Sequence, residues 1–132
     1  MKKCIILILL LLSLMLLSGQ KTTTKAAAEK AKPLVTFIEL GSVNCVPCKM
    51  MKPVMKEVEE AYGDTIEIIF HDITLPKNRS ISSKYKVKVM PTQVFLDKDG
   101  KEFSRHEGFY PASEIIKLLD KKLGVDRNKP KE

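Results

Sequence analysis

Two apolar, strand-forming runs separated by a single helical stretch limit the folds open to this chain more than any other feature. The first, Leu34-Val35-Thr36-Phe37-Ile38-Glu39-Leu40, ends at Gly41-Ser42, and the second spans Thr65–Phe70. Between them Met51, Val54, Met55 and Val58 recur at helical spacing, Lys52, Lys56, Glu59 and Glu60 fill the other faces, and Gly63 breaks the pattern. Strands joined through one helix cannot form a hairpin, so the default is a right-handed βαβ crossover with parallel strands. Pro53 falls inside the helical stretch and should kink it.

The remainder completes an α/β order of β-α-β-α-β-β-α without internal repeats. Asn78–Tyr85 reads as a short helix starting near Asn78 or Ser80. Thr92–Leu96 and Lys101–Glu107 flank Asp97-Lys98-Asp99-Gly100, a turn cluster that makes them an antiparallel hairpin. Pro111–Leu123 carries Ile115, Ile116, Leu118 and Leu119 at helical spacing, Gly124 stops it, and a charged tail at 125–132 is expected to fray.

At 132 residues the chain has room for one core, which excludes a second enzymatic domain. The net charge of +7 is spread along the chain with no aromatic-interleaved basic patch, so nucleic acid is not an expected partner. Lys2 and Lys3 precede an apolar run from Cys4 to Leu17, followed by Ser18-Gly19-Gln20. That is the layout of a signal peptide, and the run is shorter than the roughly 18 residues of a relaxed membrane span. Residues 1–19 are therefore read as a cleaved signal or an N-terminal anchor. Leu17 fits poorly at the −3 position of a cut after Gly19, and Ala26-Ala27-Ala28 lies far from the run. Residues 20–32, rich in Lys, Thr and Ala, read as a flexible tether to a folded domain at 33–124. The expected location is exported, periplasmic or on the outer face of the cytoplasmic membrane, with membrane contact only through the anchor.

Cys4 goes with the apolar run, which leaves Cys45 and Cys48 in the folded part. A bridge across two intervening residues removes little chain entropy, so the pair suits chemistry better than stapling. Cys45 falls where the first strand hands over to the helix, and unpaired N–H groups and the helix dipole there favour a thiolate nucleophile. Cys48, one turn further, is placed to resolve a mixed disulfide, and Pro47 stiffens the turn between them. The same spacing is also half of a zinc site, with His71 and His106 as isolated candidate ligands; no metal site is expected from them. A soft-metal module, with Met50 and Met51 beside the cysteines, is a further reading.

From Pro33 to Leu123 the chain resembles the thioredoxin family. The resemblance rests on Cys45-Val46-Pro47-Cys48-Lys49-Met50, on Pro53, on Val89-Met90-Pro91-Thr92 before the hairpin, and on Gly108 after it. It implies a thioredoxin-like fold, a central mixed sheet of about four strands flanked by helices, and a redox-active Cys45–Cys48 disulfide with no cofactor. It further implies a cis Pro91 lying against the disulfide. Met90 would offer backbone hydrogen bonds to a substrate, and Val46, Pro47 and Gly108 would complete the binding surface. Glu39, a carboxylate amid Phe37, Ile38 and Leu40, matches the buried acid that exchanges protons with the resolving cysteine; burial should raise its pKa.

This sequence departs from the pattern where Asn44 and Gly41 replace aromatics, Phe70 replaces a lysine beside the acid, and Val46 replaces a glycine. Pro47 is typical of the family's reductants. The expected function is an extracytoplasmic thiol-disulfide oxidoreductase that reduces protein disulfides, is recharged by a membrane electron carrier and works as a monomer. The alternative within the class is a disulfide-forming oxidase or interchange protein acting on protein dithiols.

Overall fold

The computed structural model describes residues 32–127. The signal or anchor at 1–19, nearly all of the tether and the end of the tail lie outside the described residues. Strand β1 spans Val35–Gly41, helix α1 Val46–Tyr62, β2 Ile66–Asp72, helix α2 Arg79–Lys84, β3 Thr92–Asp97, β4 Glu102–Glu107 and helix α3 Ala112–Leu123. They form one four-stranded mixed sheet in the order β2-β1-β3-β4. β1 runs parallel to β2 and antiparallel to β3, and β3 is antiparallel to β4.

Element edges move by a residue or two from the sequence pattern, for local reasons. A tight 3-10 turn takes Gly63–Thr65, so β2 begins at Ile66. Another takes Pro76–Asn78, and the Asn78 side chain donates to the Asp72 carbonyl at 2.7 Å instead of capping α2. Pro53 lies within α1, which continues to Tyr62. The described start of the tail, residues 125–127, is held to the fold where fraying was expected. The Val125 N–H donates to the Asp120 carbonyl at 3.0 Å, and Arg127 donates to Asp120 Oδ2 at 2.8 Å with its guanidinium over the Tyr62 ring.

Alternation along the strands gives the sheet two unequal faces. On one, Phe37 and Phe95 pack with Met51, Val54 and Val58 of α1 and with Ala112, Ile115 and Leu119 of α3. Their rings stack at 4.8 Å, and burying each contributes about 1.5–3 kcal/mol. On the other, Ile38, Leu40 and Val94 pack against Ile81, Tyr85 and Val87, a smaller cluster closed by the short α2. Among the described residues, no helix is long and apolar enough to cross a membrane.

Candidate functional site

The first face changes character at the C-terminal end of β1, where α1 begins. Cys45 is the N-cap of α1 in extended conformation, and its carbonyl receives the Lys49 N–H at 3.0 Å. Cys45 and Cys48 are joined in a disulfide with their Cα atoms 5.2 Å apart. Their exposures differ: Cys48 is 3% exposed, whereas Cys45 is only half-buried. A partner arriving from solvent therefore meets Cys45 first.

The approach of α1 to the sheet depends on Gly41. A Cβ at this position would meet Cys48 Sγ at 3.0 Å and Cys48 Cβ at 3.2 Å, so the glycine leaves the space that the inner sulfur fills. The Phe70 ring edge lies 3.7 Å from the same point. The loop from β1 to α1 is held from β2. Asp72 Oδ2 accepts the Val43 N–H at 3.2 Å, Ser42 Oγ accepts the Asn44 N–H at 3.2 Å, and the Ile73 N–H donates to the Gly41 carbonyl at 2.9 Å. Hydrogen bonds from Thr74 and then from the Val43 amide hold the Asp72 carboxyl below its usual range.

Two residues before Gly41, on the same face, Glu39 is fully buried. Strand geometry puts it about 7 Å along β1 from Gly41, the residue that Cys48 packs against. Burial pushes its pKa up to about 7, and a hydrogen bond from Gln93 pulls modestly the other way. Gln93 stands opposite Glu39 in the β1–β3 register, is also fully buried, and donates Nε2–H to Glu39 Oε1 at 3.4 Å. Glu39 Oε2 and Gln93 Oε1 have no hydrogen-bond partner. Sequence reasoning missed Gln93, although an amide between Thr92 and Val94 in an apolar strand carries the same signal as Glu39 in β1. It also missed Asp72 and Ser42, whose roles depend on contacts made after the chain folds.

The remaining candidates gather at the same end of the sheet. Leu40 pairs with Thr92, so Pro91 follows β1's last paired residues at the mouth of the β1–α1 loop. The Met90–Pro91 peptide is cis, and the Pro91 carbonyl receives the Gly108 N–H at 2.7 Å. Gly108 has φ +91, a conformation glycine adopts without strain. Val46 is 69% exposed and Pro47 half-buried, while Met50, Val89, Met90 and Phe109 add exposed apolar surface. Met51 is buried instead, with its sulfur accepting the Tyr110 N–H at 3.4 Å. His106 stacks on Tyr110 at 4.1 Å. Among the described residues, no group of three or more His, Cys, Asp or Glu is arranged to hold a metal ion. The arrangement offers an outer sulfur, an inner sulfur and a buried carboxyl behind them, the parts needed for thiol-disulfide exchange.

Comparison with known proteins agrees with this geometry. The family model described as a thioredoxin-like domain matches residues 20–123, and the chain belongs to the thioredoxin family. Its structure is the thioredoxin-like fold, a mixed four-stranded sheet flanked by helices. It is 36% identical over 81 residues to thioredoxin Y2, chloroplastic, of Arabidopsis thaliana, covering 61% of this chain and 47% of that one. The chain thus spans about half the length of the plant relatives it matches. It is 33% identical over 89 residues to a thioredoxin of Staphylococcus aureus, covering 67% of this chain and 83% of that one. Among solved structures, a malarial protein superposes with a TM-score of 0.62 at 27% identity, covering 67% of this chain and 97% of that one. The malaria parasite's thioredoxin-2, described as a component of its protein secretion machinery, gives 0.61 at 26%, covering 66% of this chain and 82% of that one.

Proposed function

We propose that this protein is a thiol-disulfide oxidoreductase that reduces protein disulfides outside the cytoplasm. The observation that carries the reading is the asymmetry of the sulfurs: Cys45 is half-buried at a helix N-terminus, and Cys48 is buried against Gly41 with Glu39 behind it. In the reduced protein the Cys45 thiolate attacks one sulfur of a substrate disulfide, forming a mixed disulfide and releasing the other sulfur as a thiolate. Cys48 then gives its proton to the Glu39 carboxylate and attacks Cys45 Sγ. The mixed bond breaks, the Cys45–Cys48 bond forms, and the second substrate sulfur leaves as a thiolate that takes a proton from solvent. Two electrons have passed from the protein to the substrate, and the proton of Cys48 rests on Glu39. A dithiol or membrane electron carrier returns the electrons in the reverse sequence.

The exposed apolar surface formed by Val46, Met50, Met90 and Phe109 suits an unfolded or extended protein segment as substrate. Pro47 supports the reductive direction through the family resemblance, and Lys2-Lys3 with the apolar run supports export and an optional N-terminal anchor.

Insulin-disulfide reduction tests the mechanism. Cys45→Ser should abolish it, and Cys48→Ser should leave the substrate covalently bound to Cys45; catalytic turnover surviving in Cys45→Ser would overturn the proposal. Equilibration with glutathione tests the direction. A potential near thioredoxin's, about −270 mV, supports a reductant, and one near about −120 mV an oxidase. Fractionation of the producing cells tests export.

A further inference from the structure

We infer that Gln93 is the positioning residue for Glu39: its amide carbonyl receives the Glu39 proton, and its amide N–H holds the carboxylate once the proton has left. This rests on the proposed exchange of that proton with Cys48. Phe70 occupies the position paired with Glu39 on β2 and brings no hydrogen-bonding side chain to it. The polar partner comes instead from the other neighbouring strand.

The geometry behind this is the match between two orphaned atoms. Carboxyl and amide are both planar, face each other across β1 and β3, and already share the Gln93 Nε2–H to Glu39 Oε1 bond. Glu39 Oε2 and Gln93 Oε1, the atoms on their other edges, are buried without partners. Two bare oxygens cannot satisfy each other, but a proton on Oε2 turns it into a donor toward Oε1 and closes a cyclic acid–amide pair. When the proton moves to Cys48, the N–H bond remains and becomes charge-assisted. One neutral side chain therefore serves both states of the acid, whereas a lysine would favour only the ionised one.

The other titratable groups on this face belong to different contacts. Asp72, on β2, is engaged by Thr74 and the Val43 amide. His106, opposite Gln93 on β4, stacks on Tyr110 with Nε2 against the Phe109 carbonyl at 3.2 Å. Burial raises the Tyr110 hydroxyl pKa, and Cys48, on α1, is held in the disulfide. Burial also raises Glu39 to about 7, which keeps its proton exchangeable near neutral pH.

The test needs no activity assay at its first stage. Infrared spectra of the oxidised full-length protein at about pH 6, where free glutamates are ionised, should contain a carboxylic C=O band that Glu39→Gln removes. Gln93→Met, or Gln93→Leu if the first does not fold, should move that band to higher wavenumber as the carboxyl loses its partner. In the wild type, the Gln93 side-chain amide signals in NMR should shift with pH at the midpoint of the infrared band. In reduction assays, Gln93→Met should slow resolution of the mixed disulfide by about ten-fold, a part of what positioned proton transfer supplies. In the Glu39→Gln background the same change should have no effect. An unmoved band, Gln93 amide signals that ignore the titration, or an equal slowing without Glu39 would each overturn the inference. Loss of insulin reduction with the spectroscopic coupling intact would instead count against the proposed function alone.

Discussion

Two pairs of residues on β1 and β3 lie on the same sheet face, two positions apart, equally buried and chemically opposite. Phe37 and Phe95 stack at 4.8 Å and touch both large helices. Glu39 and Gln93, the next pair toward the disulfide, are also fully buried but share one long hydrogen bond and leave two oxygens unpartnered. The first pair stabilises the sheet through dispersion and burial. The second forgoes that gain to place a buried carboxyl on the disulfide side of the strand, where the proposed proton exchange would need it. Stability and chemistry are thus separated along one strand by only about 7 Å.

Phe95→Ala should break the stabilising side of this contrast most severely. It should cost about 3–5 kcal/mol in denaturant unfolding, because Phe95 also meets Phe103 and Tyr110. The folded fraction should keep the wild-type pH profile of disulfide reduction. A loss below about 1 kcal/mol would refute the idea that this half carries the stability.

Glu39→Gln probes the other half and should act in the opposite sense. Glu39 has a pKa of about 7 in the folded protein against an ordinary 4.5, so its neutral form favours folding. That contribution is complete below pH 4.5 and is lost as pH rises through 7. The variant should therefore match the wild type near pH 4 and exceed it by about 3 kcal/mol near pH 9, while resolving the mixed disulfide more slowly. Unfolding curves at the two pH values check this, and a gap that does not change with pH would refute it.

Gly41→Ala sharpens the boundary at the disulfide end. Its methyl would press on Cys48 Sγ at 3.0 Å, which should cost about 1–3 kcal/mol in the oxidised protein. Parallel unfolding with and without a reductant should show a smaller cost once the sulfurs can separate.

Much of this was legible from residue patterns because the signals are local. The helical spacing of Met51, Val54 and Val58 and the apolar run around Phe37 announced α1 and β1. A carboxylate among Phe37, Ile38 and Leu40 marked Glu39 for burial. Gln93 went unread because its significance lies in register: only the pairing of β1 with β3 sets it opposite Glu39. Asp72 was hidden for a related reason, since the amide it holds, Val43, lies 29 residues away. The docking of Arg127 onto Asp120 and Tyr62 likewise depends on how α1 packs beside α3.

That last contact has a consequence for reach. Leu34, Tyr62, Thr65, Leu123, Val125 and Arg127 line one cavity, so the chain enters and leaves the fold at the pole where α1 ends. The disulfide sits where α1 begins, and a helix of 17 residues separates the two poles by about 25 Å. Cys45 thus sits at the opposite end of α1 from the residues where the described chain enters and leaves the fold, so a partner engaging the disulfide approaches the end away from Leu34 and Arg127.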